Sequence, residues 1–155
     1  MSKKVTIYTD GACSGNPGVG AWAAILFYGE ASKSFSELCQ NTTNNRMELL
    51  GAINALKQLK EPCEVTLYSD SAYLINAFIE GWIYGWKAKG WQRGNKELLN
   101  KDLWQELYDL NKTHKIIWTK VKGHSNNQYN NECDKLATDE IKKYKKEQKL
   151  SEIEE

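Results

Sequence analysis

The sequence predicts an α/β fold in which a mixed sheet is flanked by helices, and three observations predict it. Two β-branched or apolar runs, at Val5–Ile7 and Val19–Tyr28, are joined by the turn signal Gly15-Asn16-Pro17-Gly18, so they read as an antiparallel pair. A helix-period stretch from Asn45 to Lys60 then leads to a further strand around Val65–Leu67, which is the crossover that a parallel pair needs. Helical and strand patterns go on alternating after that, over a chain of 155 residues, the size of one domain with its own core.

In the first strand, the run from Val5 delivers Asp10 to the point where Gly11 lets the backbone turn, so a carboxylate is expected at a strand end. An isolated Asp-Gly is more often a simple turn former; what arrives later decides between the two readings. Ala31 to Thr42 alternates enough for an edge strand anchored by Phe35 and Leu38. Thr43, Asn44 or Asn45 can cap the next helix, whose stripe is Leu49, Ala52, Ile53, Leu56 and Leu59, with Pro62 closing it. Glu48 lies in its first turns beside that stripe, where an ordinary Glu would gain from the helix dipole and point to water.

Val65 and Leu67 form the next strand, which again ends in an aspartate, within Ser69-Asp70-Ser71, before a helical run at Ala72–Phe78. If this strand is parallel and adjacent to the first, Asp10 and Asp70 share one rim of the sheet. From Gly81 to Gly94 the chain interleaves aromatics, cations and four glycines. Between Trp82 and Lys101 stand Lys87, Lys89, Arg93, Lys96 and Lys101 against the single acid Glu97. Stacking rings among cations compose a nucleic-acid platform, although Trp82 and Trp86, four apart, also suit one half-buried helix face. A helix follows at Asp102–Leu110, then a strand at Ile116–Val121, then the polar loop that carries His124. The last helix begins near Asn130, bears Asp134 in its first turn, and buries Cys133, Leu136, Ala137 and Ile141. Beyond Lys145 the charged residues read as a frayed helix end or a disordered tail.

Composition removes several classes of function. With 41% hydrophobic and 26% charged residues, and no apolar run of membrane-span length, the chain reads as soluble. Met1-Ser2-Lys3-Lys4 leads straight into a strand without a secretory h-region, so an intracellular, cytoplasmic location is expected. Cys13, Cys39, Cys63 and Cys133 are scattered, with no Cys-x-x-Cys pair or nearby histidine, which argues against disulfides and zinc.

Asp10, Glu48, Asp70 and Asp134 therefore come from four separate elements, all predicted to face one rim. Two carboxylates about 4 Å apart repel by roughly 4 kcal/mol at an effective dielectric near 20, so such a cluster calls for a counter-charge. All-oxygen ligands suit magnesium or manganese, and a multi-carboxylate site with open positions is of the kind that holds two metals around a phosphate.

With these residues in place, the chain resembles the type 1 ribonucleases H. The matching stretches are Thr9 to Gly18 (TDGACSGNPG), Thr43 to Leu49 (TNNRMEL), Ser69-Asp70-Ser71, Lys122-Gly123-His124, and Asn130 to Asp134. The resemblance covers almost everything up to about Tyr144. It implies a five-stranded mixed sheet, three antiparallel strands followed by two strands parallel to the first, forming a catalytic domain over residues 1–145. It also implies that Asp10, Glu48, Asp70 and Asp134 hold two Mg²⁺ ions, with Mn²⁺ as a substitute, and that His124 assists proton handling or product departure. The implied reaction is hydrolysis of the RNA strand of an RNA/DNA hybrid to 5′-phosphate and 3′-hydroxyl ends by a two-metal mechanism.

By the same resemblance Asn16 and Thr43 are expected to contact DNA-strand phosphates, and Asn44 and Asn45 to read the minor groove. The stretch Trp82 to Lys101 corresponds to the family's basic protrusion, with Trp82, Trp86, Lys87, Lys89, Trp91, Arg93 and Lys96 as its contacts. Ala72 departs from the pattern, because that place often carries a longer polar side chain. The hybrid is the one expected partner, and a monomer is the default. Two rivals remain at this level: a DNA-cutting nuclease or transposase core, and a hybrid-binding module without catalysis.

Overall fold

A computed structural model describes residues 2–122 and 127–154. Strands β1 (Lys3–Gly15), β2 (Gly18–Tyr28) and β3 (Ala31–Thr42) form an antiparallel meander, followed by helix α1 (Asn44–Lys57) and strand β4 (Cys63–Ser69). Helices α2 (Ala72–Ile79) and α3 (Trp82–Ala88) lead to a short hairpin, β5 (Gln92–Arg93) with β6 (Lys96–Glu97). Helix α4 (Lys101–Thr113), strand β7 (Lys115–Lys120) and the long helix α5 (Gln128–Glu154) complete the chain.

The main sheet has the order β3-β2-β1-β4-β7, with β1 antiparallel to β2 and parallel to β4, and β4 parallel to β7. This is the five-stranded mixed sheet expected from the sequence. One core lies between the sheet and α1, α2 and α4, and includes Ile7, Leu49, Ile53, Leu67, Leu74, Trp104 and Leu107. The opposite face is covered by α5, where Cys133, Ala137 and Ile141 pack against Ala21, Ala23 and Ile25. Small side chains on β2 are what allow that helix to lie close to the sheet.

Several boundaries differ from the sequence reading, α4 for instance reaching Thr113 rather than Leu110. β1 does not turn at Gly11 but continues to Gly15, still paired with β2. Gly11 is needed because α1 crosses it: an added Cβ would meet Glu48 N at 2.5 Å and the Met47 carbonyl carbon at 2.6 Å. α1 ends at Lys57, three residues before the expected limit, and its last turn tightens through Gln58 N–H to Ala55 O and Leu59 N–H to Leu56 O. Past Lys145 the backbone of α5 stays helical through Glu154, with the side chains at 145–153 exposed.

His114, at the end of α4, is buried, and its Nδ1 accepts the Cys63 N–H at 3.0 Å, tying the start of β7 to the start of β4. Burial holds its pKa below the ordinary histidine value, which keeps Nδ1 an acceptor. No described helix is long and apolar enough to cross a membrane.

Candidate active site

Parallel register sets the level of the first two acids. Tyr8 pairs with Tyr68, the last matched residues of β1 and β4, and Asp10 and Asp70 each stand two residues further on. Asp70 falls in the link between β4 and α2. Ser69 Oγ accepts the Ser71 N–H at 3.1 Å, and Ser71 Oγ caps α2 by accepting the Leu74 N–H at 3.1 Å, so the backbone on both sides of Asp70 is held. Glu48 arrives from α1, whose N-cap is Thr43: its Oγ1 accepts the Arg46 N–H at 3.2 Å. The close crossing of α1 over Gly11 brings Glu48 beside Asp10 rather than out to water.

Asp10, Glu48 and Asp70 each offer a carboxylate oxygen within 4.8 Å of the others. Asp10 and Glu48 are both only 5% exposed. Burial, reinforced by the Asp70 charge, pushes the Asp10 carboxyl up to about 7, even though it accepts the Gly11 N–H at 2.9 Å. Burial also holds Glu48 well above the usual carboxylate range, with Asp10 and Asp70 adding to the effect. Among the described residues Glu48 Oε1 has no hydrogen-bond partner, although it is buried. Such an orphaned oxygen beside two more carboxylates is the donor set a hard divalent cation takes, so the residues fit the implied metal.

These three acids share a pocket of about 210 Å³ with Gly11, Asn44, Asn130, Asn131 and Asp134. Asp134, on the second turn of α5, is exposed and stands at the pocket's edge, outside the tight cluster of three. Asn130 has no individual role in the sequence reading. It is 3% exposed and its Oδ1 also lacks a partner among the described residues. Its only sequence signal is membership in the Asn130–Asp134 motif. His124 lies outside the described residues.

The expected binding residues divide into two groups. Asn16 is at the exposed tip of the β1–β2 hairpin, where its Oδ1 accepts the Asn44 N–H at 3.2 Å, so Asn16, Thr43, Asn44 and Asn45 form one continuous edge beside the pocket. In the protrusion, Trp82, Trp86, Lys89 and Arg93 line a cavity of about 570 Å³ together with Tyr73 and Gln92. Trp82 is 50% exposed, whereas Trp86 is half-buried against Trp104. Trp91 is 9% exposed and packs edge-on against Tyr108, while Lys87 lies over that same Tyr108 ring. Lys96 is exposed on the β5–β6 hairpin opposite Arg93. Ala72 is exposed at the first position of α2.

Arg46, to which the sequence reading gives no role of its own, connects the two groups. Its guanidinium donates to Asn100 Oδ1 at 3.1 Å and to both Asp102 oxygens at 3.1 and 2.9 Å. Asn100 in turn donates to the Tyr73 hydroxyl, which also receives the Trp104 indole N–H. The start of α1 is thereby fixed to the base of the protrusion.

A model of the RNase H family matches residues 2–142. The ribonuclease H of Acetivibrio thermocellus is 66% identical over 145 residues, covering 93% of this chain and 99% of that protein. The ribonuclease H of Caldanaerobacter subterraneus subsp. tengcongensis is 60% identical over 144 residues, covering 92% and 94%. Among solved structures, LC9-RNase H1, a type 1 RNase H with the type 2 active-site motif, superposes with a TM-score of 0.80 at 26% identity, over 89% of this chain and 72% of that one. LC11-RNase H1, solved in complex with RNA/DNA hybrid, shares the fold with a TM-score of 0.67 at 20% identity, over 87% and 94% of the two chains. Carboxylates gathered at parallel strand ends, in a chain this similar to named ribonucleases H over nearly its whole length, lead to one conclusion: the chain belongs to the RNase H family and is a type 1 ribonuclease H.

Proposed function

We propose that this ribonuclease H hydrolyses the RNA strand of RNA/DNA hybrids in a divalent-metal-dependent reaction, leaving 5′-phosphate and 3′-hydroxyl ends. The observation that carries the reading is the close trio of Asp10, Glu48 and Asp70, the first two buried, with a Glu48 oxygen that lacks a partner among the described residues. Asp10, Glu48 and Asp70, with Asp134 at the edge, would hold the metal. When bound, two Mg²⁺ ions supply the charge that activates water for in-line attack and stabilises the leaving 3′-oxygen.

The remaining work belongs to the chain. Asp10 and Glu48 must both be ionised for all three carboxylates to act as ligands, so metal affinity rises with pH through the range where they lose their protons. Asn130, buried at the pocket wall, orients what enters through its Oδ1, which has no partner among the described residues. His124, by the family resemblance, takes or returns a proton as product leaves. The edge formed by Asn16, Thr43, Asn44 and Asn45 contacts the DNA-strand phosphates and the minor groove. The protrusion binds the neighbouring backbone through Lys87, Lys89, Arg93 and Lys96, and offers Trp82, Trp86 and Trp91 as its aromatic framework. Residues 1–145 act as the catalytic unit, in a cytoplasmic monomer.

Labelled RNA/DNA hybrid, duplex DNA and duplex RNA, each with magnesium and with chelator, test the reading. Cleavage of hybrid RNA alone, and only with the metal, is the expected result. Cutting of duplex DNA, or binding of hybrid without any cutting, would replace it with one of the two rivals.

A further inference from the structure

Residues 142–149 of α5 carry Lys142, Lys143, Lys145, Lys146 and Lys149 against one acid, Glu147. Steps of three and four residues bring Lys142, Lys145, Lys146 and Lys149 to one side of the helix, and all four are exposed. The inward stripe of α5 ends at Ile141 and the half-covered Tyr144. From there the helix leaves the sheet and continues from 146 to 154, a length of about 14 Å at 1.5 Å per residue.

Its position relative to the pocket is fixed by two contacts. Lys145 Nζ donates to Ser14 Oγ in the β1–β2 hairpin, close to Asn16, and Asn16 holds the Asn44 N–H. A continuous path therefore runs from the lysines to the edge of the carboxylate pocket. The protrusion rises from the α1, α2 and α4 side of the sheet, whereas α5 lies on the other face.

We propose that the stripe Lys142 to Lys149 is a second nucleic-acid contact, holding the hybrid's phosphate backbone on the hairpin side of the pocket while the protrusion holds it on the other. The proposal rests on the hybrid-cleaving reading given above. A row of exposed ammonium groups matches a row of phosphates and gains from counterion release. Within residues 142–149 the exposed side chains other than lysine, Glu147 and Gln148, are polar, and the exposed apolar side chains Leu150 and Ile153 come only after Lys149. Glu152 follows within one turn and marks where the contact ends.

The test is the full chain with Lys142→Gln, Lys146→Gln and Lys149→Gln together, which leaves Lys145 on Ser14 and touches no packed side chain. Hybrid binding in chelator is measured against salt, on a long hybrid and on a short one that spans only the pocket. The expected result is a log–log salt slope shallower by about 0.7 to 0.9 for each phosphate no longer neutralised, on the long hybrid only, with KM raised and kcat unchanged. An unchanged slope on the long hybrid, or an equal weakening on both hybrids, overturns the proposal. Cleavage by the parent chain is scored separately: a parent that does not cut hybrid contradicts the functional reading, whereas a parent that cuts while the variant keeps its slope contradicts the stripe alone.

Discussion

The carboxylate pocket takes its acids from β1, α1 and the end of β4, where two of the three are almost wholly covered, whereas the protrusion takes its cations from α3 and a two-residue-strand hairpin whose polar residues are all exposed. In the pocket, position is fixed by the sheet register, the close crossing at Gly11 and the serines beside Asp70, and like charges are forced together. In the protrusion, charges stay solvated and cost little to hold, and packed rings such as Trp86 and Trp91, with the β5–β6 pairing, locate them. The physical lesson is a division of labour. A group whose charge is stored under repulsion should govern rate and metal loading, and a group whose charge is solvated should govern affinity and its salt dependence.

The largest expected effect is on the pocket. Asp70→Asn should lower hybrid cleavage by several orders of magnitude, at about 1.4 kcal/mol of barrier for each factor of ten, while leaving hybrid affinity in chelator near the parent value. Single-turnover rates and binding curves on the same preparation measure both. A variant that cuts normally, or that loses affinity instead of rate, would erase the division. His124→Ala should be milder, slowing single-turnover cleavage by about 10² to 10⁴ because a positioned acid–base group is removed while the carboxylates remain. Parent-like rates from pH 6 to 9 would remove His124 from the reaction.

In the protrusion, replacing Lys87, Lys89, Arg93 and Lys96 with alanine should raise KM and make the salt slope shallower by about 0.7 to 0.9 per phosphate left without its cation, with kcat held. A fall in kcat with KM unchanged would show that the protrusion shapes the pocket rather than feeding it. The smallest effect is expected at the junction. Arg46→Lys cannot hold Asn100 and both Asp102 oxygens at once, so KM should rise a few-fold with the salt slope unaltered, since every phosphate keeps its cation. A changed slope would make Arg46 itself a phosphate ligand.

Much of the fold and the site is legible in the sequence because it depends on local pattern. The strand and helix runs, the Gly15–Gly18 turn and the acids at 10, 48 and 70 each sit in a short stretch whose period or turn chemistry is visible by itself. What the sequence hides depends on contacts far apart in the chain. Gly11 reads as a turn residue next to Asp10, yet it is required by α1 passing over it, and nothing near position 11 records that crossing. Arg46 looks like an ordinary helix cation until Asn100 and Asp102 arrive from more than fifty positions away. Trp91 sits in a glycine- and cation-rich run that suggests exposure, but Tyr108 of α4 covers it. Asn130 shows its unmet Oδ1 only once α5 is laid against the pocket. The α5 extension is ambiguous in sequence because charged residues with no apolar stripe fit a helix end and a tail equally well.

The central claim is that Asp10, Glu48 and Asp70 are held together against their mutual repulsion in order to bind a divalent cation, and thermal melts of the parent and Asp70→Asn test it most directly. In chelator, Asp10 and Glu48 have folded pKa values raised above their unfolded values, so the folded state carries extra protons between the two. Their contribution to stability is therefore full below about pH 4 and is lost as pH rises through about 7, the value reached by Asp10. Asp70→Asn removes one source of that repulsion. The variant should match the parent near pH 4 and melt higher at pH 8, by roughly 2 to 4 °C for each kcal/mol of repulsion relieved. Excess magnesium at pH 8 should then raise the parent's midpoint and move the variant's much less. A variant that melts lower than the parent in chelator at pH 8, and gains as much from magnesium, would contradict the account.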